Sequence, residues 1–125
     1  MPISIGLRHE VSLTVADADT AVAFGTGEVA VLSTPRVVAL CEEAALRAVA
    51  RELEPGQTTV SSRVELSHVT PVAVGVTVRA EATLERVEGR RLIFAVSLAD
   101  SRGLVAAGRV TRVVVETDRF LKRAQ

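Results

Sequence analysis

The sequence predicts an α+β domain in which one long helix is wrapped by a five-stranded antiparallel sheet. Three observations predict it. The run from Thr34 to about Glu52 is apolar around most of a helical wheel. One alternating segment precedes it, and four strand-like segments follow with no second helix between them. The joints between those later segments are short and carry turn residues. A helix and a sheet that each present a large apolar surface bury those surfaces against one another.

Each element has its own pattern. In residues 5 to 15, Ile5, Leu7, His9, Val11, Leu13 and Val15 share one face, and Arg8, Glu10, Ser12 and Thr14 lie on the other. That alternation is the mark of a half-buried strand. Residues 16 to 33 keep no period and read as a loop with one short helical turn over 20 to 24. Thr34 is expected to cap the long helix, with Pro35 at the first helical position, where its missing N–H costs nothing. Pro55 and Gly56 stop the helix. Arg36, Glu43, Arg47 and roughly Arg51 form its polar stripe, with Glu43 and Arg47 in the favourable i,i+4 order.

In 58 to 70, Val60, Val64, Leu66 and His68 are expected to share a face. Segments 76 to 87 and 91 to 99 alternate across a turn at Glu88-Gly89. Asp100-Ser101-Arg102-Gly103 is the next turn, and 104 to 116 is apolar on both faces, as a central strand would be. Curling this sheet around the helix gives the hotdog fold, with residues 1 to 125 as one domain.

Composition narrows the function. Formal net charge is zero, with acids and bases interspersed, so there is no electrostatic footprint for nucleic acid or an anionic membrane. Arg119, Lys122 and Arg123 read as a short solvated tail. The one cysteine, Cys41, rules out an intramolecular disulfide and a cysteine-built zinc site. The N-terminal residues do not read as a signal peptide, and no stretch approaches the ~20 apolar residues of a membrane span. A cytoplasmic protein is expected.

The residues that could carry chemistry are few. Glu42 sits about 100° from Glu43 on the wheel, among Val38, Ala45, Leu46 and Val49. A carboxylate on an apolar flank must be paired, hydrogen-bonded or protonated. It is either a helix-edge group that reaches water or an arginine, or a general base or nucleophile in a cleft. His68 falls on the apolar face of its strand, where a carboxylate could fix its tautomer and raise its basicity. Thr34 stands at the helix N-terminus, and past Pro35 the N–H groups of Arg36 and Val37 are the expected free donors for developing negative charge. Thr34 and Glu42 lie about 12 Å apart along an ideal helix. They therefore flank an elongated site or belong to a site completed by two subunits. Cys41 points to the deepest side of the helix and reads as core. No phosphate loop, dinucleotide fingerprint, serine elbow or His/Asp metal cluster is present.

Thr34-Pro35-Arg36-Val37-Val38-Ala39-Leu40-Cys41-Glu42-Glu43-Ala44 resembles the central helix of the fluoroacetyl-CoA thioesterase family of hotdog proteins. The segments Val64-x-x-x-His68-x-x-Pro71-x-x-x-Gly75, Val87-x-Gly89-Arg90-Arg91-Leu92-x-Phe94 with Asp100, and Gly108-x-x-x-Arg112 extend the resemblance in order. The resemblance implies a homodimer, or a dimer of dimers, that hydrolyses a small or medium acyl-CoA without metal or cofactor. It implies Thr34, Glu42 and His68 as the catalytic set, with Arg112 near the site. Phe24 is expected beside the acyl group. The family's Val-Gly-Thr segment reads Val60-Ser61-Ser62 here, so Ser61 stands where backbone approaches substrate. The family's last-strand histidine is Val110, and the segment between Val22 and Thr34 is shorter than the fluoroacetyl enzyme's lid. General acyl-CoA hydrolysis is therefore expected rather than fluoroacyl selectivity. An acyl-CoA hydratase or dehydratase, and a non-catalytic acyl-CoA-binding module, are the rival readings.

Overall fold

The structure, a computed structural model, describes residues 3–125. Met1 and Pro2, part of the N-terminal segment read above for a leader, lie outside the described residues. Strand β1 (Arg8–Thr14) is followed by a strap holding a 3-10 turn and the short helix α1 (Ala21–Phe24). Helix α2 (Thr34–Val49) comes next and ends in one 3-10 turn, Ala50–Glu52. Strands β2 (Gln57–His68), β3 (Thr77–Glu88), β4 (Arg91–Asp100) and β5 (Gly103–Glu116) follow, then helix α3 (Thr117–Arg123).

All strand pairs are antiparallel, in the order β1-β3-β4-β5-β2. The sheet wraps α2, and this is the expected hotdog arrangement. Strand β5 lies between β4 and β2, which is why it is apolar on both faces. The outer strands are β1 and β2. The β3–β4 turn falls at Gly89-Arg90, where Gly89 adopts φ 63°, a conformation that favours glycine.

The core works by size complementarity. Helix α2 offers small side chains, Cys41, Ala44, Ala45 and Ala48, all buried. Large side chains from the sheet, Leu84, Leu92 and Phe94, fill the space above them. Burying one such side chain stabilises the fold by roughly 2–3 kcal/mol. A second cluster, around Val37, Leu40, Val78 and Leu98, packs the other end of the helix.

One side of α2 stays bare. The helix packs chiefly on β3 and β1, so Val38, Ala39 and Leu46 remain partly or largely exposed on the flank nearer β2. Its apolar sequence calls for burial over most of the surface, but one chain's sheet supplies cover on one side only.

Strand β2 departs from simple alternation. The register to β5 slips between Ser61 and Arg63, so Ser62 is an extra residue in the strand. On the C-terminal side of this bulge, Val64, Leu66 and His68 face the helix as expected, with Val64 and Leu66 packed on the core. On the N-terminal side the phase inverts. Thr59 is buried opposite Val114, while Val60 pairs with Val113 on the outer face. Placing Val60 on the face of Val64 is thus corrected by the bulge. Close to it, Gly108 pairs with Leu66, and a Cβ there would stand 1.9 Å from the Glu65 carbonyl oxygen. The two strands approach too closely at this point for any side chain.

Candidate active site

Helix α2 starts one residue earlier than its sequence suggests. Ser33, not Thr34, is the N-cap, and its hydroxyl accepts the Arg36 N–H at 3.2 Å. Such a cap is worth about 1 kcal/mol. The Val37 N–H donates to the Ser33 carbonyl at 3.1 Å. The donors expected to be free at Arg36 and Val37 are therefore both taken, and Val37 is fully buried. The Arg36 side chain turns to Asp19, with its Nε 3.0 Å from Oδ1. That ion pair ties the strap onto the helix.

The shift of the cap frees the Thr34 hydroxyl. It lies 2.8 Å from His68 Nδ1, at the end of β2. His68 Nε2 is buried and has no hydrogen-bond partner. A buried polar atom without a partner is uncommon and needs a reason. Both residues line a cavity of about 400 Å³ between the strap, the start of α2 and the segment after β2. Ala21, Gly27 and Val29 of the strap and Pro71 complete much of its apolar wall. Phe24, expected beside the acyl group, is 43 % exposed at the end of α1 and is not part of that wall.

A second polar cluster lies further along the helix. Arg112 of β5 is almost wholly buried, and its Nη1 lies 3.3 Å from Glu42 Oε1. Its Nε donates to Thr59 Oγ1 at 2.9 Å and its Nη2 to the Thr59 carbonyl at 2.8 Å. Burial pulls the Arg112 pKa down, and the Glu42 charge holds it up. Of the alternatives for Glu42, the arginine partner is present, and 29 % of the Glu42 side chain remains exposed. Ser61 sits across the strand pair from Arg112. Beside Glu42, burial and the adjacent carboxylate push the Cys41 thiol up to about 11, which keeps it protonated and unreactive.

The two clusters are separate within one chain. No hydrogen bond among the described residues joins Glu42 to Thr34 or His68. His68 pairs with Ala106 on β5, six residues from Arg112, or roughly 20 Å along the strand.

A family model described as fluoroacetyl-CoA-specific thioesterase matches residues 15–118. The chain belongs to this family. The fluoroacetyl-CoA thioesterase of Streptantibioticus cattleyicolor is 36% identical over 90 residues, 72% of this chain and 65% of that protein. The matched segment thus spans just under two thirds of that relative. A solved structure of the fluoroacetyl-CoA thioesterase FlK superposes with TM-score 0.93 at 28% identity, over 99% of this chain and 96% of that one. A variant of that enzyme solved with fluoroacetate and CoA gives 0.88 at 29% identity, over 94% and 99%. The family and the hotdog fold therefore agree with the resemblance carried by the sequence motifs.

Several motif residues of this family do structural work here. Asp100 accepts from the Arg102 backbone and guanidinium, which reaches on to the Pro71 carbonyl at 2.7 Å. This network holds the Asp100 pKa below its usual value and fastens the segment after His68. Thr59, the anchor of Arg112, was not singled out from the sequence. Its signal was a threonine facing the helix, legible only with the bulge in place. Among the described residues no helix is long and apolar enough to cross a membrane, and no cluster of three His, Cys, Asp or Glu could hold a metal ion.

Proposed function

We propose that this chain hydrolyses acyl-CoA thioesters with small or medium acyl groups, as a two-fold dimer whose site combines Thr34 and His68 of one subunit with the partner's Glu42. The observation that carries this reading is the Thr34–His68 contact at 2.8 Å, with His68 Nε2 buried and unpartnered beside a 400 Å³ cavity. An imidazole fixed at one nitrogen and uncommitted at the other is arranged for proton transfer.

The dimer is supported by what one chain leaves open. Strand β2 is a twelve-residue edge, and exposed edges are normally paired or covered. The bare flank of α2, with Val38, Ala39 and Leu46, adjoins it. Antiparallel pairing of two β2 strands about their middle covers both. It also carries the partner's Glu42 toward His68.

The chemistry follows from the hydrogen bonds. His68 Nδ1–H donates to Thr34 Oγ1, which leaves the Thr34 hydroxyl proton and backbone N–H for the thioester carbonyl oxygen. Nε2 takes a proton from water as its oxygen bonds to the carbonyl carbon. The partner's Glu42 stabilises the imidazolium. When the C–S bond breaks, the imidazolium returns the proton to the departing thiolate. The products are the free acid and the CoA thiol. The acyl chain lies along the apolar wall of the cavity, with Phe24 at the outer side of the strap. Arg112 holds Glu42, with Ser61 beside it, while Arg36 and Val37 fix the first helical turn.

Release of free thiol across acetyl-, fluoroacetyl-, propionyl-, butyryl- and hexanoyl-CoA tests this. Turnover is expected on short and medium chains with no marked preference for the fluoroacyl group. A change in conjugated enoyl absorbance without thiol release would replace it with a hydratase. Tight binding without turnover would replace it with a binding module.

A further inference from the structure

The cavity beside His68 has walls that are fastened in place. On the strap side, the Ala21 N–H donates to the Val31 carbonyl at 2.9 Å and the Thr26 N–H to the Ala21 carbonyl at 3.0 Å, so the strap closes on itself. A Cβ on Gly27 would stand 3.1 Å from that of Ala21, which leaves the closed strap little slack. The Leu32 N–H donates to the Val72 carbonyl at 2.8 Å, and Val31 bridges to Ala73. The strap and the segment after β2 are therefore joined through their backbones. Each is also tied to a buried carboxylate. Asp19 Oδ1 accepts from Arg36 Nε at 3.0 Å, and its Oδ2 accepts the Ala16 N–H at 2.8 Å. The Asp19 carbonyl takes the Ser33 N–H at 2.9 Å. Asp100 Oδ2 accepts from Arg102 Nε at 3.0 Å and Nη2 at 2.6 Å, and that Nη2 also donates to the Pro71 carbonyl at 2.7 Å. A buried carboxylate is costly unless it is paired and hydrogen-bonded, and both of these are. Among the described residues no hydrogen bond joins either to Thr34 or His68. What they hold is the wall of the cavity.

We propose that Asp19 and Asp100 are positioning residues that set the upper size of the acyl group. The proposal rests on the thioesterase reading above and adds a chain-length limit to it. Asp19 anchors the strap wall, with Ala21, Gly27 and Val29, to the first turn of α2. Asp100 acts through Arg102 and anchors Pro71, on another side of the cavity, to the turn between β4 and β5. Moving either wall outward breaks charge-assisted hydrogen bonds, which are roughly twice as strong as neutral ones. The space of about 400 Å³ is thus bounded by walls that do not yield. Fixed apolar walls discriminate between chains by the methylene, so a long acyl chain is refused and a short or medium one is admitted.

The test reads chain length rather than rate. Thiol release is measured on acetyl-, hexanoyl- and decanoyl-CoA, with thermal melting beside it. The parent should favour the two shorter esters over decanoyl-CoA. Asp19→Asn loosens the strap. Asp100→Asn combined with Arg102→Met opens the second clamp without stranding a buried charge. Each should raise kcat/KM for decanoyl-CoA relative to acetyl-CoA by roughly tenfold, the scale of a methylene in a hydrophobic pocket. Ala21→Leu adds bulk to the strap wall and should move the limit the other way, with hexanoyl-CoA lost before acetyl-CoA. Leu92→Ala weakens the core away from the cavity. It should lower the melting midpoint and keep the parent's chain-length profile. Clamp variants that keep that profile overturn the proposal, as does a Leu92→Ala variant that broadens equally or a parent that takes decanoyl-CoA as readily as acetyl-CoA. If the parent hydrolyses none of the three esters, the thioesterase reading falls. Calorimetric titration with S-ethyl- and S-decyl-CoA, thioethers that cannot be hydrolysed, then decides the walls. A widened ratio of dissociation constants in the clamp variants upholds them, and a parent-like ratio or no binding refutes them.

Discussion

The two polar clusters along α2 are built on opposite principles. At Arg112, the side chain sits buried with bonds to Thr59 and Glu42. At His68, one ring nitrogen is fixed by Thr34 and the other is left without a partner beside an open cavity. The first arrangement is closed and suits holding a charge in place. The second is unfinished and suits a reactant. A polar group that the fold leaves unsatisfied costs stability, so its persistence points to chemistry, whereas a saturated one points to positioning.

Four substitutions test that contrast. The largest effect is expected at the open end. His68→Ala should lower turnover by roughly 10²-fold or more, without loss of thermal stability, since it removes an unsatisfied group. Glu42→Gln should lower it on a similar scale, and the double variant should be little worse than either, as for groups that act as a unit. Normal melting with parent-rate thiol release in these variants would refute the site. At the closed end the balance reverses. Arg112→Met should cost stability by roughly 2–3 kcal/mol, because Thr59 and Glu42 lose their donor. Its melting midpoint should fall while His68 chemistry per folded molecule declines less than in His68→Ala. A variant that melts normally and is inactive would make Arg112 a participant in the reaction. The smallest effect is expected at Glu43, which is paired with Arg47 at 3.1 Å on the exposed stripe. Glu43→Gln should shift stability by a few tenths of a kcal/mol, about the worth of an exposed i,i+4 pair, and leave turnover intact. A large loss of activity would place Glu43, not Glu42, on the reactive flank.

The fold was legible because it is written in short-range periodicity. Alternation marked most of the strands, two apolar faces marked β5 as a central one, and the small, apolar residues of α2 marked the helix that the sheet must enclose. Local chemistry was less decisive. Ser33 and Thr34 are both good caps, and only the contact with His68, thirty-four residues away, shows why Thr34 is not the one used. The Glu42–Arg112 pair spans seventy residues, so no window of sequence contains it. Periodicity also failed at Ser62, since nothing in Val60-Ser61-Ser62 announces an extra residue. Here the family resemblance supplied what pattern could not: it pointed to Arg112 without any account of what Arg112 touches.

The bulge at Ser62 acts as a reading-frame shift within a strand. Everything before it is presented in one parity and everything after it in the other. Were β2 regular, with Ser62 paired in the ladder instead of set outside it, Val60 would turn inward and Thr59 outward. The interior would gain an aliphatic side chain and lose the hydroxyl and carbonyl that grip Arg112. Setting one residue outside the ladder thus decides whether this stretch of the sheet is a seat for a cation or merely more oil.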